Sequence, residues 1–174
     1  MKNILTIILI IGIFNPIFSQ SRAILEFHEK FKDNSKYFSL KIEGGILTSL
    51  SNISTDDADT KDLMDVISKI DAIDIHSINR LETKFDNNDL KDFLRKIRKE
   101  NYEDLLIVNS DDSKTNFMIK ESRGKVSDLL LLVNEDEEFI VINISGTIDL
   151  HNISKLSKNI NFKGSEHLEE LENE

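Results

Sequence analysis

The sequence has no cysteine and no tryptophan, and its 174 residues include one proline and six glycines. The lack of cysteine excludes disulfides, thiolate metal sites, cysteine nucleophiles and lipid attachment through an N-terminal cysteine. It leaves the redox compartment open, because a chain able to bury about two-thirds of its unfolded surface needs no covalent staple. Positive charge is also scarce. The formal net charge is −10, and removal of Lys2 with an N-terminal leader takes it to −11. A compact chain this acidic repels nucleic acid phosphates and anionic lipid at long range. Its basic residues are mostly interleaved with acids, so no nucleic acid partner is expected. No Gly-x-Ser-x-Gly elbow, Walker loop, dinucleotide fingerprint or His-Glu-x-x-His motif is present.

What the chain does have is a dense block of aliphatic residues in its last third. Lys125 to Val133, the acidic stretch Asn134 to Glu138, and Phe139 to Ile148 read as an antiparallel hairpin. The two runs are apolar at nearly every position, which suits central strands covered on both faces. The other apolar block lies at the start. Basic Met1-Lys2-Asn3, apolar Ile4 to Phe14, the breaker Asn15-Pro16 and the small residue Ser19 follow the order of a secretory signal peptide, with cleavage near Ser19 or Gln20. Beyond it no segment approaches the roughly 20 apolar residues of a membrane-spanning helix. The expectation is an exported protein, periplasmic or secreted, without a membrane span once the leader is removed.

Between these blocks the periodicity predicts helices over Ala23–Asp33, Asp62–Lys69 and Asn87–Lys99, and a short helical turn over Ile46–Leu50. Ile24, Phe27 and Phe31 form the apolar stripe of the first helix, and Leu90, Phe93, Leu94 and Ile97 that of the third, which Asn87 or Asn88 can cap. Strands are predicted at Tyr37–Ile42 and Ala72–Ile78, then at Tyr102–Val108 and Thr115–Glu121 ahead of the hairpin. Gly146 marks a bulge or a close backbone approach. Asp149 can cap a last helix built on Leu150, Ile153 and Leu156, and an acidic tail runs from Gly164 to Glu174. The fold class is α+β: a mainly antiparallel sheet ending in a four-stranded meander, with helices packed on a face as a two-layer sandwich. One domain spans residues 21–160, between the leader (1–20) and the tail (161–174).

Several of these segments carry a family resemblance. They are the helix together with Asn101 to Leu106, then Leu129 to Asp136, Val141 to Leu150 and Ile153 to Leu156. Together they resemble an exported bacterial family described as domain of unknown function 4252, found mainly in the Bacteroidetes. The resemblance covers roughly Ile24 to Leu156. It implies an envelope protein with no assigned catalytic activity, sometimes encoded near sigma-factor regulation genes, and it brings no functional residues. Many relatives look like lipoproteins; this chain, lacking cysteine, departs from them there.

Three clusters could carry chemistry. Asp56, Asp57, Asp59 and Asp62 offer carboxylates of the kind that hold calcium. Read as an EF-hand loop from Asp57, however, the segment has Asp62 where glycine is needed and Ser68 where glutamate is needed. The bland reading is a solvated loop leading into a helix. The acidic stretch Asn134 to Glu138 reads as a charged hairpin tip that keeps apolar strands soluble. Asp74 and His76 share a strand face, opposite Ile73 and Ile75, and could form a general base with an orienting carboxylate. No motif places a nucleophile beside them, so the bland reading is a surface pair. No catalytic, cofactor or metal residue is assigned and no cofactor is implied. The expected function is that of a non-enzymatic cell-envelope protein, a binding or signalling-accessory module with an envelope protein as partner. The alternatives are an exported hydrolase using Asp74 and His76, or a cation or small-ligand binder using the acidic loop.

Overall fold

The computed structural model describes residues 21–51 and 58–149. The leader, Asp56 and Asp57, the last helix and the acidic tail lie outside the described residues. The element order is α1 (Arg22–Phe31), β1 (Tyr37–Glu43), α2 (Gly44–Ser51), α3 (Ala58–Ile67), β2 (Ile70–Asn79), α4 (Arg80–Thr83), α5 (Asn87–Lys99), β3 (Tyr102–Asn109), β4 (Ser113–Ser122), β5 (Lys125–Glu135) and β6 (Glu138–Ile148). The strands form one six-stranded sheet in the order β1-β2-β6-β5-β4-β3. Every neighbouring pair is antiparallel. The meander from β3 to β6 is the one that short connections predict, and the fold is α+β.

Helices α1 and α5 cover one face. Ile24, Phe27 and Phe31 of α1 and Phe93 and Ile97 of α5 pack on Ile78, Met118, Leu130, Leu132, Phe139 and Val141. The Phe27 ring is the hub, with its centroid 5.3 Å from that of Phe93 and 5.9 Å from those of Phe85 and Phe139. A second apolar cluster lies on the opposite face: Phe117, Leu129, Leu131 and Val133, flanked by Ile140, Ile142 and Ile144. Leu129 to Val133 are therefore buried at every position. A central strand with apolar layers on both sides explains the unbroken aliphatic run of β5.

The capping of α5 corrects one expectation. Asp86, not Asn87 or Asn88, is the N-cap: its carboxylate accepts from the Asn88 and Asp89 amides, and the Asp89 side chain accepts from the Asp86 amide. This reciprocal box satisfies more of the free first-turn donors than an Asn at either later position can. A second difference is that α3 begins at Ala58, four residues before the predicted start at Asp62, so Asp59 stands in the helix rather than in the loop. The short helix α4, capped by the Asn79 side chain, has too few residues to show periodicity.

Gly146 sits at an irregularity of the β2–β6 ladder, between the pairs Ile70↔Gly146 and Ala72↔Ser145. Its φ is +151°, and a Cβ there would lie 2.3 Å from the Lys69 carbonyl oxygen and 2.9 Å from the Ile70 Cα. Those neighbours are backbone and cannot turn aside. Gly146→Ala is expected to destabilise the fold by about 3 kcal/mol or more, combining unfavourable φ with a main-chain clash. Urea unfolding of the two proteins measures this, and a loss under about 1 kcal/mol would refute it.

Candidate functional site

Strand β2 brings the sequence-predicted pair to an unexpected place. Asp74 and His76 do share a face, but it is the helix-covered one: they are 4% and 5% exposed. The surface-pair reading is overturned. The reason is register. Asp74, His76 and Ile78 lie opposite Asn143, Val141 and Phe139 of β6, and all three of those are buried. Directly opposed residues point to the same side, so β2 must follow.

Two side chains without any sequence signal complete the cluster. Tyr37 opens β1, and its hydroxyl lies 2.5 Å from His76 Nδ1 and 2.8 Å from His28 Nδ1. His28 belongs to α1, whose N-terminus is fixed by two devices. Ser21 Oγ accepts from the Ile24 amide at 3.3 Å, and the Glu100 carboxylate accepts from the Arg22 and Ala23 amides at 3.1 and 2.7 Å. The helix so placed lays Phe27 edge-on against the His76 ring at 6.2 Å between centroids. The Tyr37 and His76 rings are nearly parallel, at 14°.

The hydroxyl of Tyr37 has one proton. It can donate to one imidazole and accept from the N–H of the other, an arrangement in which His28 and His76 hold complementary tautomers. Whichever holds, His76 Nε2 is buried and has no hydrogen-bond partner among the described residues. Burial depresses the His76 pKa from 6.5 to about 4, with the charge of His28 adding to it. Burial likewise pushes the Tyr37 phenol up to about 12. It also raises the Asp74 carboxyl above its ordinary value, against the pull of Lys41. Further along the same face Tyr102 donates to Asn143 Oδ1 at 3.2 Å, and burial, with Asp128 next, raises its pKa too.

This arrangement lacks what general-base chemistry needs. His76 Nδ1 is taken by Tyr37 and Nε2 has no partner, so Asp74 does not orient the imidazole. A working base must also reach the proton it removes, and His76 lies beneath α1. The described clefts are elsewhere. One, of about 70 Å³ between α1 and α5, is floored by phenylalanines, Phe27 and Phe93 among them, and rimmed by Lys30, Asp89 and Lys96. The other is a shallow depression along α5 at Lys91, Leu94, Arg95, Arg98 and Lys99. Among the described residues no group of three or more His, Asp or Glu side chains is arranged to hold a metal ion.

A family model described as Domain of unknown function (DUF4252) matches residues 31–156. The chain belongs to this family. The DUF4252 match takes in β1 to β6, with Tyr37, Asp74, His76 and Gly146, and it begins after His28. Comparison with curated proteins and with solved structures gave no match.

The depressed His76 pKa fixes a pH dependence. Between about 4 and 6.5 the unfolded chain binds a proton on this ring that the folded chain does not. The His76 contribution is therefore intact above pH 6.5 and is lost as pH falls towards 4, by on the order of 3 kcal/mol. Asp74 acts with the opposite sign: its raised pKa favours the folded state at low pH, and that benefit is lost as pH rises through the folded value. The His76 effect is thus read as a difference between proteins. His76→Leu is expected to lie within about 1 kcal/mol of wild type at pH 7 and to be the more stable protein at pH 4.5. Thermal unfolding across that range is the check, and parallel pH profiles would contradict the assignment.

Proposed function

We propose that the chain is an exported, non-enzymatic binding module of the cell envelope that takes a protein partner along the open side of β1. One observation carries the reading: Phe38 and Leu40 stand 55% and 43% exposed on this strand, while Asp74 and His76 lie under α1. Exposed large apolar side chains grouped on one element mark interaction surfaces more often than single scattered ones do. Phe38, Leu40 and Ile42 also continue, across the pairs with Ser77, Ile75 and Ile73, into the aliphatic face of the sheet. The order of basic, apolar and small residues from Met1 to Gln20 supports export, and no described helix is long and apolar enough to cross a membrane.

The test is affinity capture of the tagged protein from cross-linked envelopes of cells that make it, beside the Phe38→Ser/Leu40→Ser double variant. Wild type is expected to capture partners that the variant loses by about tenfold or more, since each large apolar side chain at a contact contributes about 1–2 kcal/mol. Equal capture by both proteins would remove the reading. So would turnover in a broad hydrolase screen that a single substitution abolishes.

A further inference from the structure

The two ends of the sheet are built differently. At β3 the pairing with β4 is broken by a register shift between Asp104 and Leu106, and the strand carries the acids Glu103 and Asp104. A bulge and charge are standard protections of an exposed edge. At β1 the ladder is unbroken, and its two charges, Lys41 and Glu43, are of opposite sign and lie 3.5 Å apart. Seven successive pairs, from Tyr37↔Ile78 to Glu43↔Ala72, run without a shift, and β1 holds no proline. Among the described residues β2 is its one strand neighbour. Its outer backbone amides and carbonyls thus present a regular template for another strand.

The sequence of β1 says which strand fits. Along β1 Phe38, Leu40 and Ile42 are apolar and Ser39, Lys41 and Glu43 polar, while Tyr37 at its start packs against the aromatic core. Phe38, Leu40 and Ile42 face the aliphatic side of the sheet, and Ser39, Lys41 and Glu43 are exposed on the other. We propose that β1 pairs antiparallel with β1 of a second copy of this chain, about a two-fold axis through Leu40, joining two six-stranded sheets edge to edge.

In this register Leu40 meets the partner's Leu40 and Phe38 meets the partner's Ile42. On the polar side Ser39 meets the partner's Lys41, and Tyr37 the partner's Glu43. From Phe38 to Ile42 apolar lies against apolar and polar against polar, with no like charges opposed. The neighbouring registers fail. A slip of one residue sets every apolar side chain against a polar one. An axis through Lys41 opposes two ammonium groups, and an axis through Ser39 sets Lys36 against the partner's Ile42. The pairing is isologous, so it closes at two copies. It also buries the Phe38 and Leu40 side chains that a lone chain leaves in water.

The inference rests on the binding-module reading and names its partner. Because the chain has no cysteine, Leu40→Cys introduces a single thiol on the axis. Directly opposed strand residues lie about 4.5–5.5 Å apart at Cα, within disulfide range. The purified protein is expected to sediment as a dimer, and the Leu40→Cys protein to cross-link to a dimer under mild oxidation. Leu81→Cys, at a site that is 69% exposed on α4, is expected to react far more slowly. Leu40→Lys opposes two charges at the axis and is expected to weaken the dimer about 100-fold, with its circular dichroism unchanged. If Leu40→Lys does not fold, the two cysteine variants decide. A monomer at concentrations on the order of 100 μM, or equal cross-linking rates at Leu40→Cys and Leu81→Cys, would overturn the proposal. Captures from envelopes that still depend on Phe38 and Leu40 while the pure protein is monomeric would remove self-pairing alone. Captures indifferent to both side chains would remove the binding-module reading itself.

Discussion

Pairing of β2 with β6 is the contact on which the rest of the structure depends. Strands β3 to β6 find one another through short turns, and β1 finds β2 in the same antiparallel sense, but only the β2–β6 ladder joins these two sets into one sheet. The ladder is held at both ends. At one end the main chain of Lys69 to Asp71 passes Gly146 too closely for any side chain, and the Thr147 amide donates to the Lys69 carbonyl at 2.9 Å. At the other end the Arg80 amide donates to the Glu137 carbonyl, and its guanidinium donates to the Glu135 carbonyl and to Asn134 Oδ1, each at 2.9 Å or less. The acidic hairpin tip is therefore more than a solubilising charge. A cation donating to its main chain holds it beside the end of β2.

Once that register is set, the chemistry of the candidate residues follows from it. Phe139 and Val141 must enter the aromatic core under α1 and α5, so Ile78 and His76 enter with them, and Asp74 follows beside Asn143. A histidine forced into such a core has three options: it loses its charge, finds partners or leaves a nitrogen unpaired. His76 does all three in part. It is held neutral by burial, bonded through Nδ1 to Tyr37, and unpartnered at Nε2. The hydroxyl of Tyr37, shared with His28, then ties α1 to β1 and β2 through three polar side chains in a mostly apolar layer. These groups hydrogen-bond to one another beneath α1.

Much of this was legible in the sequence, and the part that was not has a definite cause. The stripe Ile24, Phe27, Phe31 gave α1, the stripe Leu90, Phe93, Ile97 gave α5, and the unbroken run Leu129 to Val133 pointed to a strand covered on both sides. The alternation in β2 correctly separated Ile73 and Ile75 from Asp74 and His76. What alternation does not encode is which side the helices take. In most one-sided sheets the aliphatic side is the covered one, which put Asp74 and His76 outside. Here both faces are apolar, one aromatic and one aliphatic, and α1 and α5 bring phenylalanines to the aromatic side. The His28–Tyr37–His76 link was hidden for a related reason, because its three residues come from three elements and meet only in the folded sheet.

The same register that hides the polar groups exposes the apolar ones. Turning Asp74 and His76 inward turns Ile73 and Ile75 outward, and their partners on β1 go with them: Ile42 beside Ile73 and Leu40 beside Ile75. Had β2 paired one residue away, His76 would reach solvent and β1 would present Ser39 and Lys41 on its aliphatic side instead. Loss of a plausible active site and gain of a regular apolar edge are thus one event. Of the sheet's two edges, one is bulged and the other is regular. The proposed pairing about Leu40 would cover that regular edge and the exposed Phe38 and Leu40 beside it.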